Sequence, residues 1–125
     1  MSISNYLEAK LMALVFNGTS FANIANIWGA LHTGTPGETA TASPLASTPR
    51  SLIVFNTANT SIATNATAVT WVVSATGFVT DISLWDSSAT ATANALWSGP
   101  LNTSKAVNAG DTVTLASGAL TVTLT

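Results

Sequence analysis

From residue 26 onward the chain alternates apolar and polar residues in short runs broken by turn-forming residues. In GFVTDISLWD (77–86), Phe78, Thr80, Ile82 and Leu84 fall on one side, and Val79, Asp81, Ser83 and Trp85 on the other. In ALTVTL (119–124), Leu120, Val122 and Leu124 face inward while Thr121 and Thr123 face outward. A period of two is the signature of a half-buried strand, because successive side chains of an extended chain point to opposite faces. Further short strand candidates, several of them alternating, are NIWGALHT (26–33), RSLIVFN (50–56), AVTWVV (68–73), NALWSG (94–99), SKAV (104–107) and DTVTLA (111–116). Seven to eight short strands separated by turn signals predict a mainly β fold, a jelly-roll-like β-sandwich.

One segment keeps a different period. In SISNYLEAKLMALVFNG, Ile3, Leu7, Leu11, Leu14 and Val15 recur at helical spacing. Ser2 or Ser4 is placed to cap the start, and Gly18 after Asn17 to end it. The expectation is one N-terminal helix within 1–18 whose apolar face packs on the sandwich or on a partner. Residues 1–125 then form a single domain, with the sandwich over 26–125.

Several turns are legible. TPGE (35–38) places Pro second and Gly third, as a type II turn requires. NAGD (108–111) and ASGA (116–119) read as tight strand connections. Segments 38–49 and 56–67 are long and poor in large apolar residues, so they are expected as surface loops or extended arms.

The alternating strands raise a question of solubility. Apolar residues make up 47% of the chain but charged residues only 6%, against about 25% in an ordinary domain. Thr and Ala, 21 of each, supply much of the remainder. Threonine suits strands, since its branched side chain fits a pleated surface and its hydroxyl keeps an outer face wet. A surface so poor in charge associates readily, so copies of the same chain or a larger assembly are expected to cover part of it. The net charge of −2, from eight scattered charges, forms no basic patch for nucleic acid or a membrane surface. The longest N-terminal apolar run, Leu11–Phe16, is too short to span a bilayer, and no basic segment leads into it, so neither a membrane anchor nor a signal peptide is expected.

Candidates for chemistry are few. There is no cysteine, and His32 is the single histidine, so any hydrolytic triad must use it. No Gly-x-Ser-x-Gly elbow, phosphate-binding loop or dinucleotide fingerprint occurs. Asp81 and Asp86 lie five apart on one predicted strand and therefore on opposite faces if it is regular. No catalytic, cofactor-binding or metal-ligating residue is assigned, no cofactor is implied, and an enzyme is not expected. Trp28, Trp71, Trp85 and Trp97 each fall in a predicted strand, where they serve as core or interface anchors; exposed on one face, they would instead suggest carbohydrate stacking. Four Asn-x-Ser/Thr sequons, at Asn17, Asn59, Asn65 and Asn102, are what chance gives in a chain this rich in these residues.

Four segments in order, NYLEAKLMALVFNGTSF, IWGALHTGTPGETATAS, VTDISLWDSSATATANALWSGPL and SKAVNAGDTVTLASGALTVTLT, resemble a family of small structural proteins of tailed bacteriophages. The match spans most of the chain and is strongest after Val79. Two departures stand out: the family's Gly-Gly turn is replaced by ATATA, and its Arg-bearing strand start survives only as TPRSLIVF with Arg50. His32 falls where the family pattern tolerates Phe, which a catalytic base would not. The resemblance implies a virion structural protein. The first expectation is a decoration (cement) protein on the capsid surface, partnered by the major capsid protein and assembled as a homo-oligomer, a trimer being favoured. The alternative is a tail fibre or minor tail protein that partners other tail proteins and contacts the host surface.

Overall fold

A computed structural model describes residues 2–124; Met1 and Thr125, the ends of the expected ranges, lie outside the described residues. A two-residue strand, β1 (Ser2–Ile3), leads into the helix α1 (Asn5–Asn17). Ser4 is the N-cap: its backbone is extended, and its hydroxyl oxygen accepts from the Leu7 amide at 3.2 Å. Gly18 ends the helix at φ 63°, the left-handed conformation that glycine adopts without steric penalty.

Eight strands follow: β2 (Ile27–His32), β3 (Ser51–Ile53), β4 (Ile62–Thr64), β5 (Val69–Val72), β6 (Gly77–Trp85), β7 (Ala95–Val107), β8 (Thr112–Leu115) and β9 (Thr121–Thr123). They form a five-stranded antiparallel sheet in the order β1-β7-β6-β2-β3 and two ribbons, β4-β9 and β5-β8. The molecule is mainly β and sandwich-like, with the five-stranded sheet against the ribbons. Leu31, Ile53, Trp71, Ile82, Leu84 and Leu96 belong to the core between them.

The chain passes from sheet to ribbons just beyond β3. The Val54 carbonyl accepts from the Ala66 amide at 2.7 Å, and the Asn56 amide donates to the Thr64 carbonyl at 2.8 Å. Asn65 sits at this crossing without exposed surface. Its side-chain nitrogen donates to the carbonyls of Thr67 and Ala116 at 2.8 and 2.9 Å, and its side-chain oxygen accepts from the Leu120 amide at 2.8 Å. One side chain thus ties the start of β5 to the turn between β8 and β9.

Several expectations need correction. The two segments expected as surface loops or extended arms are both anchored: 38–49 is a surface loop and not a free arm, and 56–67 contains a strand. Within 38–49, Ala40 and Leu45 are buried, because the segment folds back over β2 and the Leu45 amide donates to the Leu31 carbonyl at 2.9 Å. Within 56–67 lies β4, which pairs with β9. The two short runs 94–99 and 104–107 are parts of one strand, β7.

The facing of β6 also changes along its length. A register shift between Val79 and Asp81 places Val79 in the same core cluster as Ile82 and Leu84, so the simple alternation fails there. Near TPGE, Gly37 takes the expected positive φ of 77°, but the hydrogen-bonded turn runs from Gly37 to Ala40. The turns at 108–111 and 116–119 form as expected, with Gly110 and Gly118 left-handed.

The helix is covered less than its apolar spacing predicts. Leu7 is buried and Leu11 half-buried, but Val15 and Phe16 are 68% and 72% exposed, and Met12 and Leu14 are exposed as well.

Candidate functional site

The outer face of the five-stranded sheet carries the chain's one histidine together with its most connected polar side chains. His32 at the end of β2 is buried, beneath residues 34–43. Its Nδ1 lies 2.9 Å from the Ala42 carbonyl oxygen and its Nε2 2.7 Å from the Ser83 hydroxyl. The Trp85 indole nitrogen donates to the same hydroxyl at 2.7 Å. The Arg50 guanidinium lies over the Trp85 ring at 3.7 Å from its centroid and donates to the carbonyls of Ser87 and Ala89 at 3.0 and 2.7 Å.

These partners fix the protons. A carbonyl can only accept, so Nδ1 carries the hydrogen. An indole N–H can only donate, so the Ser83 oxygen accepts from Trp85 and its own proton points to Nε2. The hydrogen bonds run one way, from Trp85 through Ser83 and His32 to Ala42, and each donor finds one acceptor. This arrangement requires a neutral imidazole. Burial lowers the pKa of His32 below the ordinary 6.5, opposed by the Ala42 hydrogen bond and by Asp81, and reinforced by Arg50.

A serine hydroxyl 2.7 Å from an imidazole has the spacing of a nucleophile and its base. The surroundings do not complete such a site. Nδ1 faces a carbonyl where a triad has a carboxylate. Asp81 lies directly across from His32 in the β2–β6 register, but its carboxylate accepts from Thr80. Ser83 has no exposed surface, so a substrate carbonyl cannot approach its oxygen in this conformation. What the arrangement does is fasten β2, β6 and the covering segment to one another. The pairing was not readable beforehand, because His32 and Ser83 are 51 residues apart and only the strand register joins them.

The four tryptophans do not form an exposed row. Trp71 and Trp85 are buried, and Trp28 and Trp97 half-buried. No group of three or more His, Cys, Asp or Glu placed to hold a metal ion occurs among the described residues. Of the four sequon asparagines, Asn65 is buried with its side-chain nitrogen already committed, while Asn17, Asn59 and Asn102 are exposed. Among the described residues no helix is long and apolar enough to cross a membrane.

Two hollows remain. One of about 280 Å³ lies between α1 and residues 20–25 and includes Tyr6, Lys10, Phe21 and Asp86 in its walls. The other, of about 690 Å³, opens between β7 and the β8–β9 connection. Its floor includes Leu31, Trp71 and Ile82, and its walls include Asn102, Thr103 and Thr112. The end of α1 carries exposed apolar surface: Leu11–Phe16 is uncharged throughout, and Met12, Val15 and Phe16 are exposed.

Residues 2–123 match the protein-family model described as podophage GP4 fiber I protein gp80. No match was found among curated proteins. The match covers nearly the whole chain, and the chain belongs to this family of phage virion structural proteins. It is a virion component. The family description names a fibre, which agrees with the tail-fibre alternative better than with decoration of the head.

Proposed function

We propose that this member of the podophage fibre family is a non-enzymatic component of the tail fibre, acting by association with neighbouring virion proteins. The observation that carries the reading is the family match over residues 2–123. Two physical features support it. A decoration protein that clamps neighbouring capsid subunits needs free reach, whereas segments 38–49 and 56–67 are both tied down by buried side chains or strand pairing. The end of α1 presents Met12, Val15 and Phe16 to solvent on a chain with very few charges. Leu11–Phe16 is apolar on every side of the helix, and a helical stretch of that kind normally lies against something larger. In this reading α1 is the attachment element and the sandwich is the rigid body it carries. The partners are other tail proteins and further copies of the chain. The Ser83–His32 pair holds the fold and takes no part in chemistry.

Particles lacking the protein test the reading. A fibre component predicts heads as heat-stable as wild type and impaired adsorption to cells. Heads that release DNA at lower temperature, with adsorption intact, would favour decoration of the capsid instead.

A further inference from the structure

β4 and β5 run antiparallel to β8 and β9 as the two sides of one long hairpin bent at Asn65. The side formed by β4 and β5 is covered, since the Val54 carbonyl and the Asn56 amide bond to Ala66 and Thr64. The outer edge of β8 and β9 pairs with no strand. In an antiparallel pair, alternate residues turn their amide and carbonyl toward the partner, and those between turn them away. The Val73 amide donates to the Asp111 carbonyl at 2.9 Å, so in the β5–β8 register Val113 and Leu115 face β5 while Thr112 and Thr114 face outward. The same phase leaves the Thr70 carbonyl, opposite Thr114, free to accept from the Ser51 hydroxyl at 2.6 Å. The Leu124 amide donates to the Ser61 carbonyl at 2.8 Å, which turns Thr121 and Thr123 outward as well. Thr112 and Thr114 are exposed, and no hydrogen bond reaches their main-chain groups from the outer side among the described residues.

This edge borders the larger hollow, of about 690 Å³. Thr112 and Thr114 belong to one wall. The other wall is the part of β7 that leaves the ladder. The β6–β7 register steps from Asp81–Pro100 to Val79–Lys105, so residues 101–104 have only Thr80 opposite them. The floor of Leu31, Trp71 and Ile82 belongs to the core, and the lining carries one charge, Lys105. Exposed edges are usually guarded by charges or proline. Residues 112–124 contain neither, whereas the outer edge of β7 beyond β1 carries both Pro100 and Lys105.

We propose that the hollow and the β8 edge together seat one extended segment of a neighbouring virion protein, a strand that bonds to Thr112 and Thr114 and turns uncharged apolar side chains toward Leu31, Trp71 and Ile82. Outward amides and carbonyls on alternate residues are matched by another extended main chain. The apolar floor fixes what that chain carries: apolar side chains on every second residue, because a charge placed there loses its hydration without a partner. The donor is a different protein, because this chain's own irregular segments are committed. Phe21 and Ile24 pack on the core, Leu45 is buried, and Arg50 holds Ser87 and Ala89. A second copy would have to unfold one of these segments to lend it. The inference rests on the reading above only for a neighbouring virion protein as donor; placement on the tail or the head does not enter.

A strand supplied by the chain itself tests it. The peptide Thr-Val-Thr-Val-Thr-Val is joined after residue 125 through a flexible Gly-Ser linker of about fifteen residues, and amide exchange is read residue by residue. In the unextended chain the Thr112 and Thr114 amides should exchange freely while those of Val113 and Leu115 are protected. The tethered strand should slow Thr112 and Thr114 at least about tenfold, and the same strand with lysine in place of valine should not. In intact particles, the fast amides of peptides covering 111–116 should likewise slow at least about tenfold relative to the isolated chain. Protection of Thr112 and Thr114 in the dilute unextended chain would overturn the proposal, because the edge would already be closed. Protection that rises with concentration would overturn it by seating a second copy there. Equal slowing by the lysine strand, no slowing by the valine strand, or equal exchange in particles and isolated chain would each overturn it too. If the extended chain fails to fold, the particle comparison decides alone.

Discussion

The indole of Trp71 on β5 crosses to the opposite layer and donates to the Gly29 carbonyl on β2 at 2.8 Å. The contact is possible because residue 29 has no side chain. A Cβ there would lie 2.8 Å from Trp71 Cζ2 and 2.6 Å from Ile53 Cδ1. Both neighbours are buried ring or branched side chains with little room to give way.

Gly29→Ala should therefore destabilise the protein by about 1–3 kcal/mol, the usual cost of overpacking a filled core. Thermal or urea unfolding measures it. A change below about 0.3 kcal/mol would mean that the layers are less tightly joined at this point.

Asn65 supports the other end of the sandwich. Asn65→Ala leaves two carbonyls and one amide without their partner and should cost about 2–4 kcal/mol. Asn65→Asp should be no better at neutral pH, because it loses both donors and sets a carboxylate against two carbonyls. Equilibrium unfolding of the two variants checks this; an Asp variant as stable as wild type would contradict the network.

Much of this fold was legible in the sequence. The runs at 26–33, 68–73, 77–86 and 111–116 contain β2, β5, β6 and β8 almost end to end, because each is a short run rich in β-branched, aromatic and other apolar residues between turn-forming residues. Ser4 and Gly18 as helix caps follow from side-chain and backbone chemistry that acts within a few residues. What escaped depends on distant partners. β4 carries one large apolar residue, Ile62, and is a strand because β9 pairs with it. Val79 changes side through a register shift that local alternation does not record. The bonds that hold His32 neutral come from Ala42 and Ser83, on a loop and a strand that only the folded topology brings together.

His32 gives stability a defined pH dependence. Its native pKa is lowered, while in the unfolded chain it returns to about 6.5. Below that value the unfolded state takes up a proton that the native state refuses. The contribution is therefore full above about pH 6.5 and is lost as pH falls toward the lowered native value, with a slope of at most about 1.4 kcal/mol per pH unit for one group. Urea titrations between pH 8 and 5 read it directly. Stability rising over that fall in pH would show that His32 is charged in the native state.

The two halves of α1 should respond differently to substitution. Leu7→Ala removes a buried anchor and should cost about 2–5 kcal/mol. Phe16→Ser should leave the unfolding free energy of the isolated chain within about 0.5 kcal/mol, yet weaken self-association and incorporation into particles. Sedimentation and particle composition separate the effects. A large loss of monomer stability in Phe16→Ser, with normal incorporation, would remove α1 as the attachment element.

As a proposed part of the fibre apparatus of a podophage, this chain has its place on the tail. Antibody labelling of intact virions in the electron microscope tests it most directly. Label is expected only on the tail and its appendages, with the heads unlabelled; label spread regularly over the capsid lattice would overturn the fibre assignment.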